Sequence, residues 1–152
     1  MTTLIRNGTV VTATDMTHAD VLIDGERIQA IGTGFGDADT VIDAAGRYVM
    51  PGGIDVHTHM ELPFGGTFAS DDFATGTAAA AWGGTTTIVD FAVQDYGQSL
   101  SAGLDRWLEK ASPKSHIDFG LHLIVREISD QVLREMDAMI DRGVPSFKLF
   151  MA

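Results

Sequence analysis

From Gly53 onward the sequence alternates apolar, β-branched runs with helical stretches, and this rhythm constrains the fold more than any other feature. Strand then helix, repeated, specifies a parallel α/β unit. Ile54 to His59 reads as the first strand. Ser70 can cap a helix whose first turn carries Asp71 and Asp72 and whose alanine-rich body runs to Trp82, where Gly83-Gly84 ends it. Within that body, the small residues Ala78 to Ala81 would let the helix pack closely on the sheet. Thr85 to Ala92 is a β-branched second strand. A helix from Leu100 to Lys110 is stopped by Ser112-Pro113, and Ile117 to Val125 supplies the third strand. Asp130 to Arg142 is a third helix, with Val132, Leu133, Met136, Met139 and Ile140 at helical spacing. Ser146 to Ala152 is the fourth strand. Four such steps are half of an eight-stranded barrel, which takes about 250 residues. A half-barrel leaves an open edge strand, so the 152 residues are expected to be part of a longer chain; the alternative is a complete small α/β protein with a β extension.

Before Gly53 the pattern differs. Short strands are expected at Thr3 to Arg6, Val10 to Thr12, Ala19 to Ile23, Arg27 to Ile31 and Thr40 to Asp43, with Asn7-Gly8 and Asp24-Gly25 as type I′ hairpin turns between antiparallel neighbours. The turn clusters Asp43-Ala44-Ala45-Gly46 and Pro51-Gly52-Gly53 close this module. The expected division is therefore residues 1–52, a β portion, and residues 53–152, the first four barrel strands.

Composition narrows the partners. Ten Lys and Arg against 21 Asp and Glu give a net charge of -11, which repels phosphate backbones and argues against nucleic acid. No cysteine is present, so a metal would need nitrogen and oxygen ligands. The first residues lack a secretory signal pattern, and no run approaches the about 18 apolar residues of a membrane span. A cytoplasmic protein acting on small molecules is expected.

Two features carry chemistry. In Asp55-Val56-His57-Thr58-His59, strand alternation points His57 and His59 the same way at the carboxyl end of a barrel strand, where barrel active sites lie and where two imidazoles can meet one metal ion. Histidines buried in a core or facing solvent would give the same pattern. In Ser146-Phe147-Lys148-Leu149-Phe150-Met151-Ala152, Ser146, Lys148 and Phe150 share one face of an almost wholly apolar strand. Burial disfavours the charged ammonium, and a neutral amine can react with carbon dioxide to give a carbamate. An ammonium cannot ligate a metal; a carbamate can, and its two oxygens could bridge two divalent ions about 3.5–4 Å apart. A lysine that snorkels from the strand end or pairs with a carboxylate is the alternative.

Taken with Val49-Met50-Pro51-Gly52-Gly53, Glu61-Leu62-Pro63-Phe64-Gly65-Gly66-Thr67, Gly83-Gly84-Thr85-Thr86-Thr87 and Gly97-Gln98-Ser99-Leu100, these segments resemble the cyclic amidohydrolases, specifically the dihydropyrimidinase and D-hydantoinase branch. The resemblance implies the first half of a metal-dependent (β/α)8 TIM barrel with an N-terminal β-sandwich portion, assembled as a homotetramer. It implies that His57 and His59 bind the more buried of two divalent ions, for which zinc is suited, and that a carbon dioxide-derived carbamate on Lys148 bridges both. Leu62, Phe64 and Phe150 match the pocket for the ring substituent. The activity implied is opening of dihydropyrimidines or 5-substituted hydantoins, cyclic ureides, to N-carbamoyl amino acids by a hydroxide bridging the two metals. Two further histidines, a proton-shuttling aspartate and a carbonyl-polarising tyrosine are implied after Ala152. His18, His116 and His122 match no ligand and are expected to be structural. Another cyclic amidohydrolase such as an allantoinase, or a non-catalytic scaffold relative, is the competing reading.

Overall fold

The computed structural model of the chain describes residues 1–150. It divides into two compact units, Met1–Pro51 and Gly52–Ala152. The first is a five-stranded sheet in which β3 (Arg27–Gly32), β2 (Met16–Asp24), β1 (Thr2–Val11) and β4 (Thr40–Asp43) lie side by side, with β5 (Tyr48–Val49) also on β1. Leu4 is fully buried, and Val10, Ala19 and Val21 form a small cluster with Ile5, Ile23 and Val49 packed against it.

Three expectations for this unit are corrected. Asn7-Gly8 is not a hairpin: β1 runs straight through it. Asn7 has a φ of 62°, and the pairing with β2 slips between Ile5 and Gly8, so the dipeptide makes a β-bulge. Both β4 and β5 pair with β1 in parallel, so the module is mixed. The turn from β2 to β3 puts Gly25, φ 59°, at its first central position, while Glu26 has no positive φ. That is the requirement of a type II′ turn, not of type I′.

The second unit bears out the barrel expectation. Four parallel strands run in the order β6 (Gly53–Thr58), β9 (Thr85–Val93), β10 (Asp118–Val125) and β11 (Phe147–Leu149), with α1 (Phe73–Trp82), α2 (Leu100–Ala111) and α3 (Asp130–Asp141) as the connections. This is the first half of a (β/α)8 barrel. β9 and β10 are buried on both faces towards their carboxyl ends, as parallel strands are. On α2, Leu100, Leu104, Trp107 and Ala111 form one helical stripe, each 2% exposed or less, packed on the sheet. Burying each large member contributes roughly 1.5–3 kcal/mol. Met151 and Ala152, expected in the fourth strand, lie outside the described residues.

Local corrections here have clear causes. Asp72, not Ser70, caps α1: its carboxylate accepts from Thr75 N while Thr75 Oγ1 accepts from Asp72 N, closing both ends of a capping box. The close approach of α1 comes from Gly76, where a Cβ would lie 2.3 Å from Met60 Sδ, and not from the alanine tract, of which Ala79 and Ala81 are exposed. On α3 only Val132 and Met139 are buried, while Leu133 and Ile140 are exposed. Between β6 and α1, the glycines Gly65 and Gly66, both at positive φ, make a two-residue hairpin of β7 (Pro63–Phe64) and β8 (Thr67–Phe68).

Candidate metal and substrate site

At the carboxyl end of β6 the chain departs from regular pairing. Asp55 is opposite Ile88 and Thr58 opposite Asp90, so three steps on β6 face two on β9. The extra residue is a β-bulge, a device that re-aims side chains beside active sites. Inside it, His57 N donates to Asp55 Oδ1 at 3.1 Å instead of to the ladder. His57 and His59 emerge with their rings edge to face, centroids 5.0 Å apart. Glu61 then takes a left-handed φ of 53° and turns the chain towards the β7–β8 hairpin.

The centre of the cluster is Phe91 on β9. Its ring centroid lies 4.6 Å from that of His57, 5.1 Å from His59 and 4.7 Å from His122. Lys148 Nζ stands 4.4 Å from the same centroid and 5.5 Å from that of Phe150. Lys148 is half-buried, and among the described residues it has no ion-pair partner. The aromatic face gives the Lys148 amine a contact surface but no counter-ion.

His59 is half-buried, and burial holds its imidazole below the ordinary value of 6.5, with the nearby Lys148 charge acting in the same direction and Asp90 opposing. A neutral imidazole is the ligating form. His59 Nδ1 is buried without a hydrogen-bond partner, and such an atom is a position that a cation can satisfy. Among the described residues no group of three or more His, Cys, Asp or Glu side chains is placed to hold a metal. The donor set here is two imidazoles and one amine. It fits a metal once the amine is converted to a carbamate, because only then does Lys148 offer oxygen lone pairs.

Asp90 braces the bulge from behind. It is fully buried, and its Oδ2 accepts from Met60 N at 2.7 Å and from Thr58 Oγ1 at 3.1 Å, while Oδ1 accepts from Phe91 N at 2.6 Å. Burial raises its carboxyl above the usual range, and these three donors pull the other way. Both residues flanking His59 are thereby fixed.

Beside the histidines opens a cleft of about 1250 Å3 lined by His59, Leu62, Phe64, Lys148 and Phe150, with Tyr96 and Arg126 at its wall. Five of the six residues singled out from the sequence thus share one cavity, and His57 adjoins it through His59. Leu62 also packs against the core, whereas Phe64 and Phe150 are 80% and 65% exposed. Sequence reasoning missed Asp90 and Phe91. The available signal was a lone carboxylate near the carboxyl end of an otherwise uncharged strand, Thr85 to Val93. His18 is exposed on β2, and the backbone N of His116 donates to Thr77 Oγ1, with no side-chain hydrogen bond from His116 among the described residues. No described helix is long and apolar enough to cross a membrane.

Comparison with known proteins agrees with this geometry. Residues 40–116 match the model of the amidohydrolase family. The chain is 57% identical to a D-hydantoinase of Streptomyces coelicolor over 156 aligned positions, which cover 99% of this chain and 33% of that protein. It is 52% identical to a D-hydantoinase of Geobacillus stearothermophilus, covering 100% of this chain and 33% of the relative. The crystal structure of a dihydropyrimidinase from Brevibacillus agri superposes with a TM-score of 0.96 at 54% identity, over 100% of this chain and 33% of that one. The chain thus spans about a third of the length of the relatives it matches. On the match over half its length and the half-barrel that carries the histidine pair, this chain belongs to the amidohydrolase family.

Proposed function

We propose that the intact protein opens cyclic ureides, dihydropyrimidines or 5-substituted hydantoins, to N-carbamoyl amino acids, and that His57, His59 and a carboxylated Lys148 hold its divalent metals, with zinc the suited ion. The observation that carries this reading is the convergence of His57, His59 and Lys148 on the single ring of Phe91, at the rim of an apolar cleft. When bound, such ions supply Lewis acidity towards an amide carbonyl and a nucleophile at neutral pH. The names of the relatives, D-hydantoinases and dihydropyrimidinases, support the substrate class.

The chain's own residues have defined tasks in this reading. Burial keeps the His59 imidazole neutral and able to ligate. Lys148, without a counter-ion among the described residues, supplies the amine whose nitrogen bonds to the carbon of carbon dioxide as one N–H proton leaves to solvent, and the carbamate so formed is an anionic ligand. Leu62, Phe64 and Phe150 offer apolar surface to the ring substituent and exclude water from it. The further ligands and the proton-shuttling aspartate implied by the family resemblance, the homotetramer and the cytoplasmic location belong to the same proposal.

Turnover of hydantoin, dihydrouracil and allantoin by the intact protein tests the substrate class. Ring opening of hydantoin or dihydrouracil well above that of allantoin is expected. Preference for allantoin, or no turnover of any of the three by metal-loaded protein, would overturn the reading.

A further inference from the structure

We infer that His122 is a positioning residue for the metal site: it pins the β6 bulge to the Lys148 strand and so sets the geometry of His57 and His59 relative to Lys148. This rests on the metal-binding role proposed above for those three residues.

His122 lies on β10 directly opposite Phe91 of β9 and stacks on its ring at 4.7 Å. Its Nε2 is 2.9 Å from the carbonyl oxygen of Val56. That carbonyl sits within the bulge between Asp55 and Thr58, where the ladder to β9 is interrupted. A carbonyl only accepts, so Nε2 carries a proton and donates it there. On the other side of the ring, Nδ1 is hydrogen-bonded to Ser146 Oγ. Ser146 stands immediately before β11, two residues from Lys148 and on the same face. One imidazole therefore joins the residue preceding His57 to the strand that carries Lys148, reaching across β9. Asp55 Oδ1 takes the N–H of His57, and His122 gives the bulge a further side-chain hydrogen bond at the Val56 carbonyl. A bulge whose free carbonyl lacked this partner could relax into regular pairing, and a one-residue slip would send His57 to the other face.

The two contacts can be separated by substitution. A glutamine amide nitrogen reaches about as far from Cβ as imidazole Nε2 and can donate to Val56 O. An asparagine amide reaches only as far as Nδ1 and can serve Ser146 alone. The experiment is zinc affinity of the intact protein by chelator competition, together with the absorption spectrum of the cobalt-substituted protein and the thermal midpoint. His122→Ala and His122→Asn are expected to weaken zinc binding by about 10–100-fold, the usual effect of removing a group that orients ligands, and to shift the cobalt spectrum. His122→Gln should stay within a few-fold of the parent, with the parent's spectrum, and His116→Ala should match the parent throughout. The inference fails if His122→Ala keeps the parent's affinity and spectrum. It fails equally if His122→Gln is as weak as His122→Ala, or if zinc affinity merely follows the thermal midpoint across the series. A parent protein that binds no metal would overturn the proposed function instead, and that result is distinct from any of these.

Discussion

Lys148 Nζ stands over the ring of Phe91, 4.4 Å from its centroid, and that ring also meets both histidines of the pair. One buried aromatic therefore sets the spacing of all three proposed ligands, with no charge of its own. Phe91 is 5% exposed, so Phe91→Ala should cost about 3–5 kcal/mol through the cavity it leaves. Phe91→Leu should cost well under half of that, yet still reduce metal retained after dialysis, because a leucine cannot support rings on two sides. Denaturant titration and metal analysis check the pair; full metal retention in Phe91→Leu would contradict this role.

Asp90 should be worth more as a brace than its buried charge costs. Asp90→Ala strands Thr58 Oγ1, Met60 N and Phe91 N, and each unsatisfied buried donor costs about 1–3 kcal/mol. Asp90→Asn keeps one good acceptor and should lose less. Burial raises the Asp90 carboxyl, so the folded state holds its proton to higher pH than the unfolded one, and ionised Asp90 lowers stability as pH rises through that window. Stability curves against pH should lack this component in Asp90→Asn.

Acid should act through Glu61 in the opposite sense. Its carboxylate pairs with Lys114 at 2.7 Å and Lys110 at 3.4 Å, and the Lys114 hydrogen bond foremost holds its pKa below the ordinary 4.5. Between those two values the unfolded state binds the proton first. The stabilisation is complete above about pH 4.5 and is lost as pH falls through the lower folded value. Glu61→Gln should reduce the acid limb of the stability curve while leaving the slope above about pH 6 unchanged, with Asp72, Asp39 and Asp43, whose carboxyls are also lowered, contributing to what remains. An acid limb identical to the parent's would refute the assignment.

Gly103 in α2 is a packing requirement. A Cβ there would lie 2.9 Å from the carbonyl oxygen of Val93 and 3.3 Å from Gln94 Cα, both backbone atoms that cannot swing aside. Gly103→Ala would gain about 0.5–1 kcal/mol of helix propensity and lose about 1–3 kcal/mol to overpacking. A net loss is expected in chemical denaturation, and a more stable variant would show that α2 can shift outward freely.

The parallel half-barrel was legible because strand and helix periods differ so plainly after Gly53, and Ser112-Pro113 marks the end of α2 by local chemistry. Strand alternation singled out His57, His59 and Lys148 in the sequence; the structure gathers them around Phe91 through a bulge after Asp55, with His59 just past the end of β6. Asn7-Gly8 misled because a positive φ serves a bulge as well as a turn, and only the pairing partner decides which. Asp90, Phe91 and His122 were not legible as a group. They meet through three neighbouring strands, and nothing local in the sequence records which side chains a curved parallel sheet brings together.

The central claim is that His57, His59 and Lys148 together hold metal. Metal stoichiometry of the intact protein, set beside Lys148→Ala purified under the same conditions, tests it most directly. Two divalent ions per chain in the parent and a clear loss in the variant are predicted, together with loss of hydantoin ring opening; unchanged stoichiometry and unchanged turnover in Lys148→Ala would contradict the account.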